Sequence, residues 1–304
     1  MQFLCIGIEG NTDEVKRHIS NGLEQLKGKR IKYSIEEAAS EGLTSIICSI
    51  NDKKVYEKKS RQPYKTLKAV VSNVLADYII RRYEQKLIER IINSNYCYFS
   101  PMERKEILKY ALNILMNEEK AFLNSYFQIR RRNMIIHRLL DYFENSNNII
   151  LDGFVNFRLK DYVRDLEDIV DKAVDDFLME REYREFIRLL RYFVDLQDQG
   201  FSEIHVIASF DGRYILLDET KREITNECIK EFSSEISGDD INHDDLLVSS
   251  LITLAPRKIT IHGVGQFKNK ELLETIKNVF CGKVFLCGGC EICAEKAAKN
   301  EDGE

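Results

Sequence analysis

The sequence predicts a mixed α+β protein with a small N-terminal α/β unit, a central all-helical region and a C-terminal α/β region whose βαβ unit ends in a cysteine cluster. Runs rich in β-branched residues lie towards both ends of the chain and are typical of strands. Residues 64–199 contain one Gly and one Pro, so little interrupts helix formation there. The predicted segments are 1–51, a basic connector at 52–63, the helical region at 64–199, the C-terminal region at 200–295 and a disordered tail at 296–304.

The N-terminal unit begins with an apolar run at residues 3–8 that predicts a strand. Asn11 or Thr12 can then cap a helix, because either side chain accepts a hydrogen bond from a free N–H group of the first turn. We expect this helix to end near Gly28. Two further strands are predicted at residues 32–35 and 44–50.

The central region has one helix start that the sequence marks clearly. Ser100 can cap the helix, Pro101 has the backbone angle of a first helical residue, and Glu103 can bond back to the cap. Together they form a capping box, which predicts that a helix begins at residue 101. Helices are expected over residues 64–94, 101–116, 118–144 and 157–197.

The last of these helices carries an apolar stripe at spacings of three and four residues. The stripe slips by one residue near residues 179–182, which predicts a kink or a second helix there. The opposite face is charged and is expected to lie in solvent. Beyond the slip, the spacing predicts that four apolar side chains are buried together: Phe186, Leu190, Phe193 and Val194.

The C-terminal region begins with a predicted hairpin. Residues 202–208 and 212–217 are its strands, with Asp211 and Gly212 in the turn. After it, Asp240 or Asn242 can cap a helix that ends at Leu254. A strand, a helix capped by Asn269 and a second strand follow, a pattern typical of a βαβ crossover. The two strands are predicted at residues 258–262 and 283–286.

The composition bears on the cellular compartment in which the protein is expected. No apolar run approaches the roughly 20 residues that span a bilayer, and the first ten residues do not resemble a signal peptide. We therefore expect a cytoplasmic protein without membrane contact. Eight cysteines among 304 residues are too few for a disulfide scaffold, and a cytoplasmic setting keeps thiols reduced.

One constellation carries recognisable chemistry. Cys287, Cys290 and Cys293 follow each other as C-x2-C-x2-C, and Gly288 and Gly289 allow the tight turn that brings thiolates three residues apart onto one metal ion. Zinc is the expected metal, and an iron–sulfur cluster is less favoured, although both use this spacing. Between a bound metal and reduced thiols without one, the sequence alone slightly favours the reduced thiols.

Such a site needs a fourth ligand, and the sequence leaves its identity open. Cys281 is a poor candidate, because an intervening strand that rises about 3.3 Å per residue would place it roughly 20 Å from Cys287. His262 on the preceding strand, or Cys5 or Cys48 from the N-terminal unit, are better placed.

An excess of basic residues in the first half of the chain raises nucleic acid as a partner. Residues 1–160 contain 27 Lys and Arg against 19 Asp and Glu, and residues 161–304 contain 18 against 31. The basic half could bind nucleic acid. No nucleic-acid-binding motif accompanies it, so we favour pairing of its arginine cluster with carboxylates of residues 161–198. That cluster consists of Arg130, Arg131, Arg132 and Arg138.

No catalytic group can be assigned from the sequence. The five histidines show no metal-pair spacing, and no Ser-His-Asp or paired-carboxylate arrangement can be argued from sequence order. An enzyme is therefore not favoured. The alternative is a metal- or thiol-dependent enzyme, which would require a pocket with perturbed groups beside the cysteines.

Two segments resemble one known family. The ending FCGKVFLCGGCEIC and a set of residues in the long helical segment are similar to the YtxC-like family of sporulation proteins, which has no established activity. The resemblance covers roughly residue 150 to the end and implies a sporulation-associated protein. We expect such a protein to act through protein partners. The residues of the helical segment that carry it are Asn156, Phe157, Arg158, Tyr162, Ala173, Val174, Glu182, Tyr183, Phe186, Leu189, Leu190, Phe193, Val194 and Gln197.

Overall fold

A computed structural model gives the fold of the chain. The chain forms two compact units, Met1–Leu178 and Met179–Glu304, and each combines helices with one four-stranded sheet. The predicted α+β class is confirmed. The structure describes residues 2–9, 12–27, 33–40, 43–50, 62–120, 124–197, 200–208, 212–225, 242–267 and 269–293.

The first unit contains a sheet with strand order β2-β3-β1-β4. Strand β1 is antiparallel to β3 and parallel to β4, and β2 is antiparallel to β3. The sheet packs on helices at the face where alternate residues of β1, such as Leu4 and Ile6, are fully buried. The strands are β1 (Gln2–Glu9), β2 (Tyr33–Ser40), β3 (Leu43–Ile50) and β4 (Asn148–Ile150).

Six helices of the described residues begin in the first unit. They are α1 (Asp13–Lys27), α2 (Gln62–Asn95), α3 (Pro101–Lys120), α4 (Asn124–Asn145), α5 (Leu151–Arg158) and α6 (Lys160–Leu196).

Local sequence signals account for two of these helix starts. The carbonyl of Thr12 accepts the N–H of Lys16, so Thr12 begins α1, and its hydroxyl donates to Glu37. At α3, the N–H of Ser100 donates to the Glu103 carboxylate at 2.8 Å, and the N–H of Glu103 donates to the Ser100 hydroxyl at 3.3 Å. The predicted capping box is confirmed.

The sequence did not predict β4 or the separate helix α5. Strand β4 has only three residues, too few to show alternation, and it forms by pairing with the distant β1. Helix α5 ends at Arg158, and Leu159 separates it from α6. The region predicted to be all-helical therefore contributes one strand to the first sheet.

Helix α6 is continuous across residues 179–182, so the predicted second helix is not formed. The apolar stripe shifts by one residue where the helix passes from the hydrophobic core of the first unit to that of the second. Tyr162 and Phe177 are buried in the core of the first unit, whereas Ile187 and Val194 are buried in the core of the second. The compact units thus divide inside α6, between Leu178 and Met179, rather than at the segment boundaries that we placed from the sequence.

The prediction that four residues of α6 are buried together was wrong for two of them. Val194 is buried and Leu190 is half-buried against the second core, but Phe186 and Phe193 are 53% and 44% exposed. The physical reason is that apolar residues occupy a wider arc of the helix than the second core covers. The other exposed large apolar residues on this part of α6 are Met179, Tyr183, Leu189, Tyr192 and Leu196.

This distribution of buried and exposed residues predicts that substitutions at neighbouring positions lower the free energy of unfolding by different amounts. Ile187 is 6% exposed. Replacing it with Ala should lower the free energy of unfolding by about 2 to 5 kcal/mol, because the change removes buried methyl groups and leaves a cavity. At protein concentrations low enough for a monomer, Phe186→Ala should stay within about 0.5 kcal/mol, as for other surface changes. Urea unfolding followed by circular dichroism measures both. A larger loss for Phe186→Ala than for Ile187→Ala would reverse this assignment of the faces.

The second unit contains a sheet with strand order β6-β5-β7-β8. Strand β5 is antiparallel to β6 and parallel to β7, and β7 is parallel to β8. Two further helices are α7 (His243–Leu254) and α8 (Lys270–Val279). The strands are β5 (Ile204–Ala208), β6 (Tyr214–Leu217), β7 (Ile259–His262) and β8 (Val284–Leu286).

The predicted order of elements in this unit is confirmed. Strands β5 and β6 form the hairpin, and Gly212 has the positive φ (88°) expected of its turn, while residues 209–211 lie outside the described residues. Asn242 caps α7 and Asn269 caps α8 through their side-chain oxygens. Strand β7, helix α8 and strand β8 form the predicted βαβ unit.

Two predicted segments fall largely or wholly outside the described residues. They are the basic connector, of which only residues 62 and 63 are described, and the tail at 296–304. Within the described ranges, no helix combines the length and the apolar character that crossing a membrane requires.

Candidate metal centre

Two potential ligands meet because of the parallel pairing of β7 and β8. His262 is the last residue of β7, and Cys287 follows β8 directly. The N–H of Cys287 donates to the carbonyl of Ile261 at 2.8 Å, which continues the ladder between the strands. Since parallel strands end at the same edge of a sheet, the imidazole and the thiol lie together there.

A glycine turn brings the other two cysteines back to this edge. Gly289 has a φ of +122°, a conformation that L-residues with a side chain rarely adopt. Its N–H donates to the sulfur of Cys287 with an N···Sγ distance of 3.4 Å. The predicted turn at Gly288 and Gly289 is therefore observed, and it is the backbone of Gly289 that requires glycine.

The four side chains form one compact group of ligand atoms. The Sγ atom of Cys293 lies 3.8 Å from the Sγ atoms of both Cys290 and Cys287. The Nδ1 atom of His262 lies 3.3 Å from the Sγ of Cys290 and 3.5 Å from the Sγ of Cys293. All four atoms lie within 4.8 Å of one another. The expected convergence of the three cysteines is confirmed, and the group could hold a metal ion.

These separations match a four-coordinate site. Zinc binds thiolate sulfur at about 2.3 Å and imidazole nitrogen at about 2.0 to 2.1 Å. In a tetrahedral site, these bonds place neighbouring sulfurs about 3.8 Å apart and a sulfur about 3.5 Å from the nitrogen. Four of the six separations, 3.8, 3.8, 3.3 and 3.5 Å, agree with that geometry for a single ion, and the other two are no longer than 4.8 Å.

The surroundings of His262 and Cys290 favour the protonation states that bind a metal ion, whereas those of Cys287 do not. Burial, with His205 nearby, lowers the pKa of His262, so its imidazole is neutral at neutral pH. A backbone hydrogen bond from Cys293 lowers the pKa of the Cys290 thiol. At Cys287 the N–H of Gly289 lowers the pKa, but burial and the two neighbouring thiols outweigh it and raise the pKa overall. A bound cation would remove this last penalty, because metal binding drives thiol deprotonation.

Of the three candidates for a fourth ligand, His262 is the one that lies beside the three cysteines. Cys281 is exposed and is not a member, as its separation in sequence predicted. Cys5 and Cys48 are in β1 and β3 of the first sheet and are not members either. Burial raises the pKa of Cys48 to about 12, so it stays a neutral thiol.

Sequence reasoning missed His205, which lies directly behind His262. Its Nδ1 atom is 3.1 Å from the Nε2 atom of His262. His205 lies on β5, where Ile207 pairs with His262 in the parallel register, so the two histidines share one face of the sheet. Alternation along β5 combined with a parallel β5–β7 pair was the signal that could have found it.

The arginine cluster is paired with carboxylates. Arg130 lies 3.9 Å from Asp165, and Arg138 pairs with Asp161, as expected for carboxylates of residues 161–198. The other two pair instead with α2, where Arg131 lies 3.9 Å from Glu84 and Arg132 lies 2.6 Å from Asp77. The lysines of the connector up to residue 61 lie outside the described residues.

Comparison with known proteins gives one family and one curated relative. The sequence model of the YtxC-like family matches residues 69–285. A Bacillus subtilis (strain 168) protein described as "Uncharacterized protein YtxC" is 25% identical over 216 residues, which cover 69% of this chain and 74% of that protein. No solved structure matches the chain.

Proposed function

The chain belongs to the YtxC-like family, and we propose that its second unit binds one zinc ion through His262, Cys287, Cys290 and Cys293. The observation that carries this proposal is the agreement between four ligand-atom separations and tetrahedral zinc coordination. The ion would join the ends of β7 and β8 to the segment that follows β8, so its role is to hold this edge of the second unit together.

A structural role is favoured over a catalytic one by the number of ligands. Catalytic zinc sites keep an open position for water or substrate beside three protein ligands, whereas structural sites use four. Here one imidazole and three thiols would supply all four ligands. We therefore propose a non-enzymatic protein, in preference to a metal- or thiol-dependent enzyme.

A single ion is also favoured over an iron–sulfur cluster. In a cluster, iron ions and bridging sulfides lie between the cysteine sulfurs and hold them further apart than one shared ion does. Sulfurs separated by 3.8 Å fit a common ion instead. Metal analysis and an absorption spectrum of protein purified without oxygen test this. About one zinc per chain and no visible absorption are expected. Iron with sulfide would favour the cluster, and no metal would favour reduced thiols.

The glycine turn provides a test that leaves the ligands in place. Gly289→Ala puts a side chain on a residue with φ near +122°, a strain of about 1 to 3 kcal/mol, so zinc affinity should fall roughly tenfold. Gly288→Ala is the matched control, because its φ is not in that region and an added Cβ would meet nothing within 4 Å. Competition with a chromophoric chelator measures both affinities. Equal losses for the two variants would contradict the role given to the turn.

A second candidate function is contact with a protein partner, and the exposed apolar face of α6 supports it. Exposed clusters of large apolar side chains mark contact surfaces on folded proteins. Residues 179–196 carry four acidic and four basic side chains, so two copies of this surface can meet without net repulsion. We therefore propose a second copy of the chain as the occupant. The most exposed members of this face are Met179, Phe186, Leu189, Tyr192 and Leu196.

Sedimentation velocity over a range of concentrations tests this contact. Concentration-dependent dimers are expected for the unmodified chain and should be lost in Leu189→Lys. Met102→Lys is the matched control, because Met102 is 79% exposed on α3 in the first unit. A monomer at every concentration would reject the second copy as the occupant.

Nucleic acid is not favoured as the partner, and the ion pairs of the arginine cluster support that choice. Action in the cytoplasm during sporulation also belongs to the proposal. It is supported by the family resemblance and by the need of a thiolate site for a reducing compartment.

A further inference from the structure

The two ring nitrogens of His262 face different partners. The Nδ1 atom points to the sulfurs of Cys290 and Cys293, at 3.3 and 3.5 Å. The Nε2 atom lies 3.1 Å from the Nδ1 atom of His205. His262 is 3% exposed, so both contacts are shielded from water. The ring therefore has one nitrogen in the ligand group and the other in a hydrogen bond.

A metal ligand must offer a lone pair, and this fixes where the protons lie. If Nδ1 of His262 binds the metal, the neutral ring carries its proton on Nε2. That N–H then donates, and the Nδ1 atom of His205 accepts. His205 must in turn carry its own proton on its other nitrogen. A metal-bound histidine commonly donates its second N–H in this way, which orients the ring and raises the basicity of the ligand.

His205 is itself held in place by the sheet. It pairs with Thr260 in the parallel β5–β7 register, and its ring lies 5.2 Å from that of His262, centroid to centroid. The neighbouring Glu203 carboxylate accepts the Thr260 hydroxyl at 2.6 Å and the Lys258 ammonium at 3.0 Å. Glu203 is 3.9 Å from the Nδ1 atom of His205, too far for a hydrogen bond, so it leaves that atom free to accept from His262.

We infer that His205 is a positioning residue that accepts the Nε2 proton of His262 and so directs the Nδ1 atom of His262 to the metal. This inference rests on the zinc site proposed above. His205 is not itself a ligand, because the compact group of ligand atoms consists of His262 and the three cysteines. The imidazole of His262 would then bind the metal through Nδ1. Its contact with His205, across the β5–β7 pair, would set its tautomer.

Two substitutions separate this role from simple packing. His205→Leu fills similar space but has no acceptor, so zinc affinity should fall about 10- to 100-fold. His205→Asn keeps an oxygen near the position of Nδ1 and should bind zinc within about threefold of the unmodified chain. His243→Leu is the control, because His243 is exposed at the start of α7 and lies outside the ligand group. Competition with a chromophoric chelator measures each affinity.

The tautomer itself can be read from the unmodified protein. In the zinc-loaded chain, nitrogen-15 NMR of the histidine rings should show His262 metal-bound at Nδ1 and protonated at Nε2. Metal bound at Nε2 would overturn the inference, as would unchanged affinity in His205→Leu. Failure of the unmodified chain to bind zinc would instead reject the zinc site. The spectrum gives an answer even if His205→Leu does not fold.

Discussion

Replacing Cys290 with Ser is expected to reduce bound zinc from about one ion per chain to near zero. Cys290 contributes one of three sulfurs, and its Sγ atom lies 3.3 Å from the Nδ1 of His262 and 3.8 Å from the Sγ of Cys293. A hydroxyl does not deprotonate at neutral pH and is a poor zinc ligand, so three donors would remain. Elemental analysis of the purified variant measures the loss.

Cys281→Ser is the matched control for this change. Cys281 is an exposed free cysteine that precedes β8 and is outside the ligand group, so its replacement should leave the zinc content unchanged. Zinc retained at full stoichiometry in Cys290→Ser would show that the four-residue group is not the site. Equal losses in both variants would point to nonspecific binding by surface thiols.

Removing zinc with a chelator is expected to loosen one edge of the second unit. Strand β8 has three residues, and two of them, Phe285 and Leu286, are about half exposed, so burial alone holds it poorly. Structural zinc sites contribute about 10 to 16 kcal/mol of apparent binding free energy in small peptides. Hydrogen exchange should therefore speed up strongly in β8 and residues 287–293. Strands β1 and β3, which belong to the core of the first unit, should exchange as before.

The comparison with Cys290→Ser makes this result specific. That variant should exchange like the chelated protein, and chelator should add nothing further to it. Exchange that is equally slow in β8 with and without zinc would contradict a structural role for the ion. Faster exchange in both units would indicate general damage by the chelator instead.

The elements predicted well were those that local chemistry specifies. The capping box at Ser100 and Glu103, the Asn269 cap and the hairpin at Gly212 each depend on residues within a few positions of one another. Strand β4 was missed because it exists by pairing with β1, more than 140 residues earlier in the chain. Apolar spacing also overestimated burial at Phe186 and Phe193, because spacing describes which residues share a face and not which partner covers it.

In the candidate site too, residues marked by local spacing were predicted, and residues placed by strand pairing were not. Cys287, Cys290 and Cys293 were found from spacing alone, since a Gly-Gly turn joins them within seven residues. His262 remained one of three alternatives, because its position depends on the parallel pairing of β7 with β8. His205 required a second parallel pair, β5 with β7, and gave no local signal.

The most direct test of the account is X-ray absorption spectroscopy at the zinc edge on the purified chain. We expect one zinc surrounded by three sulfurs at about 2.3 Å and one nitrogen at about 2.0 to 2.1 Å. His262→Ala should replace that nitrogen with a light atom from solvent or lose the metal. Four sulfurs around the ion, or a shell of oxygen and nitrogen without sulfur, would contradict the site formed by His262, Cys287, Cys290 and Cys293.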